Sequence, residues 1–268
     1  MIMGVINVTP DSFSDGGLLI NPAAAIDAAM RLAEEGAGII DIGGESTRPG
    51  ASPVDAREEQ RRVTPVIETL AKRVDVPISI DTYKAATAAA ALAAGASIVN
   101  DVSGLRYEPE LADVAARAGA AIILMHTRGR SDTMYQQASY GDVVAEVLDE
   151  LRESISFATG AGIPKDRILL DPGLGFAKEA LHSFEVLARL DEFGELGRPL
   201  VVGPSRKSFL AKAIGSGVSA TGRDWATAAA VTAAVLGGAH VVRVHAVVEM
   251  RQVARVADEI RRYHRVDS

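Results

Sequence analysis

Eight short apolar runs recur along the chain, and almost every one stops at a polar residue that a buried strand does not need. In order they are IMGVI ending at Asn7, GII at Asp41, PISI at Asp81, and SIVN at Asn100. They continue with AIILM ending at His126, RILL at Asp171, PLVVG at Ser205, and VVRV, which carries Arg243 and stops at His245. Apolar runs this short fit parallel strands buried on both faces. Alternating with helix-forming stretches, eight of them predict an α/β chain closed as a TIM (β/α)8 barrel. The chemistry of such a barrel sits at the C-terminal ends of its strands. The polar ends of the runs are therefore expected to converge on one mouth.

Helix signals fall between the runs, where the barrel needs them. Asn21-Pro22 reads as an N-cap followed by a first-turn proline, opening a helix to about Glu35 that Gly36 stops. Further helices are expected over 55–73, 83–94, from Pro109, over 142–159, after Phe176, and over 206–214, 223–237 and 247–263. The last carries Arg251, Arg255, Arg261 and Arg262, read as a solvated face. The long irregular stretches are 8–20, 43–54, 127–141 and 215–222. The first three follow strands, where a long loop in a compact domain points to function. The fourth, GSGVSATG, reads as a link between two helices.

Composition narrows the classes. At 268 residues, 48% of them hydrophobic, the chain is the size of one barrel domain spanning 1–268. Its zero cysteines exclude disulfides and thiolate metal sites. A net charge of −7 argues against a general nucleic-acid binder, and no apolar run reaches the ~20 residues of a membrane span. A cytoplasmic location is expected. The partners expected are small molecules, with no nucleic acid and no membrane.

The loops carry the chemistry. NVTPDSFSDGG sets Asn7, Asp11 and Asp15 as oxygen ligands for a hard cation or as acceptors in a capped turn, with the aromatic Phe13 among them. GGESTRPGA places Ser46, Thr47 and Arg48 between glycines, where an Arg can offer its fork to a phosphate or carboxylate. Glu45 reads as bonded to neighbouring backbone. Asp81, Asn100 and Asp171 come from three strands; any one alone could be a helix cap, and for Asp81 or Asn100 taken singly the cap is the favoured reading. Together they match the edge of a flat heterocycle rich in N–H donors. Asp101 faces the other way and reads as structural. In DPGLGFAK, Pro172, Gly173 and Gly175 make a tight turn, but the phosphate-loop spacing is absent. GPSRKSF gathers Ser205, Arg206, Lys207 and Ser208 at a helix start, a good anion site. Arg243 and His245, two apart on a strand, share a face.

MGVINVTPDSFSDGG, GGESTRPGA, SIDTYK, IVNDVSG, DPGLGFAK, GPSRKSFL and VRVH, in this order, resemble the dihydropteroate synthase family over essentially the whole chain. The resemblance implies a transferase of folate biosynthesis, a sulfonamide target. Such an enzyme joins 4-aminobenzoate to 6-hydroxymethyl-7,8-dihydropterin diphosphate and releases pyrophosphate, with Mg2+ as cofactor and a homodimer as the assembly. Asp81, Asn100, Asp171 and Lys207 then match the pterin pocket, with Met125 as an apolar wall and Arg243 stacked over the ring. Asn7, Arg243 and His245 match the surroundings of the diphosphate, where Asn7 helps hold Mg2+. Phe13, Thr47, Arg48, Pro49, Phe176 and Ser208 match the aminobenzoate side. Asp15 is the candidate for stabilising a pterin cation or taking the amine proton. Asp41 and His126 carry no implied role.

Two features depart from the family pattern. Few residues precede the first strand, so a small N-terminal plug common in the family is expected to be missing or shortened. Pro204 stiffens the turn before Ser205. Two alternatives stand beside the synthase: a pterin-dependent methyltransferase barrel, which shares the pterin-reading acids and amide but does not need the SRKSF anion site, and a catalytically inactive pterin-binding paralogue.

Overall fold

The computed structural model describes residues 1–9, 21–46, 53–215 and 217–264. Its eight strands are β1 (Ile2–Asn7), β2 (Ile39–Gly43), β3 (Ile78–Asp81), β4 (Ile98–Asp101), β5 (Ala121–Met125), β6 (Ile168–Asp171), β7 (Val201–Val202) and β8 (Val241–Val244). All pair in parallel, in the order β6-β5-β4-β3-β2-β1-β8-β7. A bridge from Leu170 to Leu200, with Leu170 N–H donating to Pro199 O at 3.0 Å, joins β6 to the start of β7 and closes the ring. The barrel expected from the runs is the barrel observed.

Around it lie α1 (Pro22–Glu34), α2 (Ala56–Leu70), α3 (Ala85–Ala93), α4 (Leu111–Ala118), α5 (Val143–Gly160), α6 (Ala180–Ala188), α7 (Ser208–Ile214), α8 (Asp224–Leu236) and α9 (Val247–His264). The caps explain their starts. Asn21, Asp55 and Asp142 each accept from backbone N–H groups of the first turn, satisfying donors that an α-helix leaves open. Residues 215 and 217–223 do link two helices, α7 and α8, as expected. One expectation about the last helix changes: Arg251 is not wholly solvated, since its guanidinium reaches Glu35 O at 3.3 Å at the end of α1.

Side-chain parity sorts the strands into layers. On every strand alternate residues face inward. A separate inner cluster of Met3, Ile39, Ile98, Ile123, Val201 and Val241 fills the lower barrel. Two residues further along the same strands, that inward face reads Val5, Asp41, Asn100, Met125 and Arg243. The barrel is thus packed with hydrocarbon below and lined with polar groups above. The other parity packs the helices, and Ile40, Ile42, Ile80, Leu124 and Leu170 are fully buried there.

Two run boundaries differ from expectation. The second strand continues past Asp41 to Gly43, so Asp41 lies inside the barrel and not at its rim. The seventh strand is only Val201–Val202, and Ser205 sits three residues beyond it in the following loop. Pro204 and Gly203 end the strand early by removing an N–H donor and a side chain to pack.

Candidate active site

The polar layer is a network centred on Arg243. Its Nε donates to Asp41 Oδ2 at 2.7 Å, and its Nη2 reaches Asp41 Oδ2 at 2.6 Å and Asp81 Oδ2 at 2.7 Å. Asn100 Nδ2 donates to the same Asp41 oxygen at 3.1 Å. Four strands are tied at one point. Asp41 is fully buried, and a buried carboxylate of this kind persists only when paired. The sequence reading gave Asp41 no role. Its parity with Gly43, inside a run that stays apolar through Ile42, was the signal for an inward-facing acid.

Each carboxylate keeps capacity that no described residue uses. Asp41 Oδ1 and Asp81 Oδ1 are buried with no hydrogen-bond partner among the described residues. Burial pushes the Asp81 carboxyl up to about 7, against the pull of Arg243 and helped by the neighbouring Asp41. Gly43 leaves room beside it: a Cβ there would stand 3.6 Å from Asp81 Oδ2 and 3.7 Å from Asn7 Oδ1. Asn7 therefore ends β1 next to Asp81. It offers a neutral oxygen acceptor there.

Across the mouth, Asp171 ends β6 and accepts from Gly173 N–H at 2.7 Å. Burial raises its pKa, against the pull of Lys207. Lys207 donates to Leu174 O at 2.5 Å, and its ammonium stands 4.6 Å from the centre of the Phe176 ring, a cation–π distance. Burial pulls its pKa down to about 8, Asp171 opposing. Met125, buried at the end of β5, pairs with Asp171 in the sheet and supplies the apolar wall. The structure thus brings Asp81, Asn100, Asp171, Met125, Lys207 and Arg243 to one mouth.

His245 follows β8 and shares a bond with Ser205, Nδ1 to Oγ at 2.9 Å. Ser208 is exposed at the first turn of α7. Arg206 leaves the anion cluster read from GPSRKSF: its fork binds Asp224 at 2.7 and 2.9 Å and turns toward α8. The edge of the Arg243 fork is engaged by two carboxylates, an arrangement that leaves the faces of the guanidinium open to a stacked ring. Asp11, Phe13, Asp15, Thr47, Arg48 and Pro49 lie outside the described residues.

Two polar clusters surround the mouth. Behind the second loop, Lys84 binds Glu45 at 2.6 Å and Glu59 at 2.9 Å. Glu45 does bond neighbouring backbone, accepting from Val54 N–H at 2.8 Å, but it also accepts from Tyr83 Oη at 2.9 Å. Asp101 is structural as expected, and its carboxylate accepts from Ser103 and Leu105 N–H groups to hold the turn after β4. A cavity of about 90 Å³ opens beside Phe176, bordered by Tyr83, Tyr107, Arg130 and Met134.

The model of a family described as pterin binding enzyme matches residues 3–245. The dihydropteroate synthase of Synechocystis sp. is 47% identical over 97% of this chain and 89% of its own length. The chain belongs to the dihydropteroate synthase family. Solved members of the family share the fold closely. The Yersinia pestis dihydropteroate synthase with a sulfonamide drug has a TM-score of 0.92 at 40% identity, over 98% of this chain and 94% of that one. The Xanthomonas albilineans dihydropteroate synthase in complex with 7,8-dihydropteroate has a TM-score of 0.87 at 41% identity, over 97% and 92%.

Proposed function

We propose that this chain is a dihydropteroate synthase, condensing 6-hydroxymethyl-7,8-dihydropterin diphosphate with 4-aminobenzoate to 7,8-dihydropteroate and pyrophosphate. The observation that carries the reading is the pair of buried carboxylates at the mouth, Asp81 with an unpartnered oxygen and Asp171 held by Gly173 N–H. A flat heterocycle with several N–H donors satisfies such acceptors better than any apolar ligand. Relatives caught with 4-aminobenzoate and with 7,8-dihydropteroate support the same reading.

In this reading Asp81, Asn100 and Asp171 read the pterin edge while Met125 packs on its face. Lys207, Arg243 and His245 face the diphosphate and the charge that grows as it departs. Asn7 would help hold Mg2+, which when bound would supply positive charge against the departing diphosphate. The methylene C–O bond breaks with its electron pair leaving on pyrophosphate, and the amine nitrogen of aminobenzoate supplies the pair of the new C–N bond. The amine then loses one proton, for which Asp15 is the proposed acceptor. Phe13, Thr47, Arg48, Pro49, Phe176 and Ser208 form the aminobenzoate side. This is the step that sulfonamides block in the family, and a cytoplasmic homodimer is the proposed assembly. Among the described residues no helix is long and apolar enough to cross a membrane.

The test is product formation. The protein with Mg2+, pterin diphosphate and ring-labelled aminobenzoate should give labelled dihydropteroate and an equal amount of pyrophosphate. Retained pterin binding with no product would select the inactive paralogue. Methyl transfer from a methylated pterin would select the methyltransferase.

A further inference from the structure

The loop between β6 and α6 is held in an unusual way. Four consecutive carbonyls each accept from a side chain. Leu174 O takes Lys207 Nζ at 2.5 Å and Gly175 O takes Tyr135 Oη at 3.2 Å. Phe176 O takes Lys178 Nζ at 3.2 Å and Ala177 O takes Tyr140 Oη at 2.8 Å. Ala177 adopts φ +46°, a left-handed conformation that a non-glycine residue keeps only when its surroundings impose it.

Lys178 is the deepest of these donors, 1% exposed, though lysine is among the residues least often found fully buried. Its amine also lies 2.7 Å from His126 Nδ1. His126, itself 1% exposed, has Nε2 3.1 Å from Glu150 Oε2 on α5. Glu150 is favoured as a carboxylate by Arg128 at 2.5 Å and Arg106 at 3.0 Å. With a carboxylate at Nε2, that nitrogen carries the ring proton and Nδ1 presents its lone pair to Lys178. Burial and the neighbouring Lys178 hold the imidazole pKa down to about 3, so the ring stays neutral. Burial likewise drives the Lys178 amine well down, with Asp171 and Glu150 opposing and Lys207 and Arg128 adding to the fall. A neutral amine still has two N–H donors, enough for both bonds.

We infer that Lys178 is a positioning residue, a post braced by His126 and Glu150 that sets the height of the Phe176 backbone and so of the Phe176 ring. The inference rests on the proposed reading of Phe176 as part of the aminobenzoate side. Lys178 itself touches no substrate in this account. Removing its amine frees Phe176 O and the loop relaxes, so the ring loses its place beneath Lys207 while the strand-borne pterin groups keep theirs.

Steady-state kinetics of Lys178→Met, alone and combined with Phe176→Ala, test this. We expect the KM for 4-aminobenzoate to rise about tenfold with kcat changed less than about threefold, and the KM for the pterin diphosphate unmoved. In the Phe176→Ala background the same change should do nothing further, because the post has lost what it positions. Equal losses for both substrates, a fall in kcat alone, or full additivity with Phe176→Ala would overturn the inference. Thermal unfolding identifies a variant that does not fold. In that case Tyr135→Phe, which removes one hydroxyl donor to the same loop, carries the comparison, with a smaller rise in the same KM expected and no rise overturning it. A wild-type protein that makes no dihydropteroate would instead refute the proposed function.

Discussion

Arg243 and Phe176 belong to the same barrel mouth but are fixed by different means. Arg243 stands on β8, in register with Met3, and its position follows from sheet pairing and from a fork engaged by Asp41 and Asp81. Phe176 stands on a loop that no sheet pairing reaches, and its position follows from side chains donating to one carbonyl after another. The strand-borne half is prearranged by backbone register and buried charge. The loop-borne half is prearranged by props that can be removed singly. The proposed division of labour follows the same line, with the flat, hydrogen-bonded pterin on the rigid side and the aminobenzoate on the propped side.

The sharpest way to break this contrast is Arg243→Met. It strands two buried carboxylates, and leaving such charges uncompensated costs about 3–5 kcal/mol. Urea denaturation should show that loss; a protein of unchanged stability would mean that the network does not organise the strands. Gly173→Ala comes next. Gly173 has φ +71°, and a Cβ there would lie 2.0 Å from His126 O, so the loop must shift away from the end of β5. We expect about 1–3 kcal/mol of destabilisation from the imposed backbone alone, together with weaker aminobenzoate binding.

The effect of pH separates the two halves without altering either. Pterin N–H donors need Asp81 as carboxylate, and its pKa is pushed up to about 7, so pterin affinity should rise as pH climbs through that value. Lys207 must keep its proton to face the diphosphate, and its pKa is pulled down to about 8, so kcat/KM for the pterin diphosphate should fall above that value. Asp81→Asn should flatten the rising limb of a pH–kcat/KM profile and leave the falling limb. A rising limb that persists in Asp81→Asn would assign it to another group. The smallest effect is expected from Tyr140→Phe, which removes one bond to Ala177 O and should cost about 1 kcal/mol by thermal unfolding.

The same contrast explains what the sequence makes legible. Asp81, Asn100 and Asp171 were legible because period-two parity and the end of an apolar run locate a strand residue in space. Asp41 was misjudged at the one strand whose run continues past its acid, where Gly43 and not Asp41 is the end. Ser205 was placed on a strand that Pro204 and Gly203 cut short. The post under the sixth loop was not legible at all. His126 is 52 residues from Lys178 and Glu150 is 24 from His126, and nothing in local pattern relates residues so far apart. Arg206 misled for the opposite reason: its local context predicts an anion site, but Asp224 on a later helix takes its fork.

Calorimetric titration of the pterin into wild type and Asp171→Asn tests the central claim most directly, that strand-end carboxylates read the pterin. The account predicts a loss of about a hundredfold in affinity, the scale of a charged hydrogen bond removed from a buried site. The aminobenzoate-side loop should remain folded in that variant. An affinity for the pterin unchanged by Asp171→Asn would contradict the account.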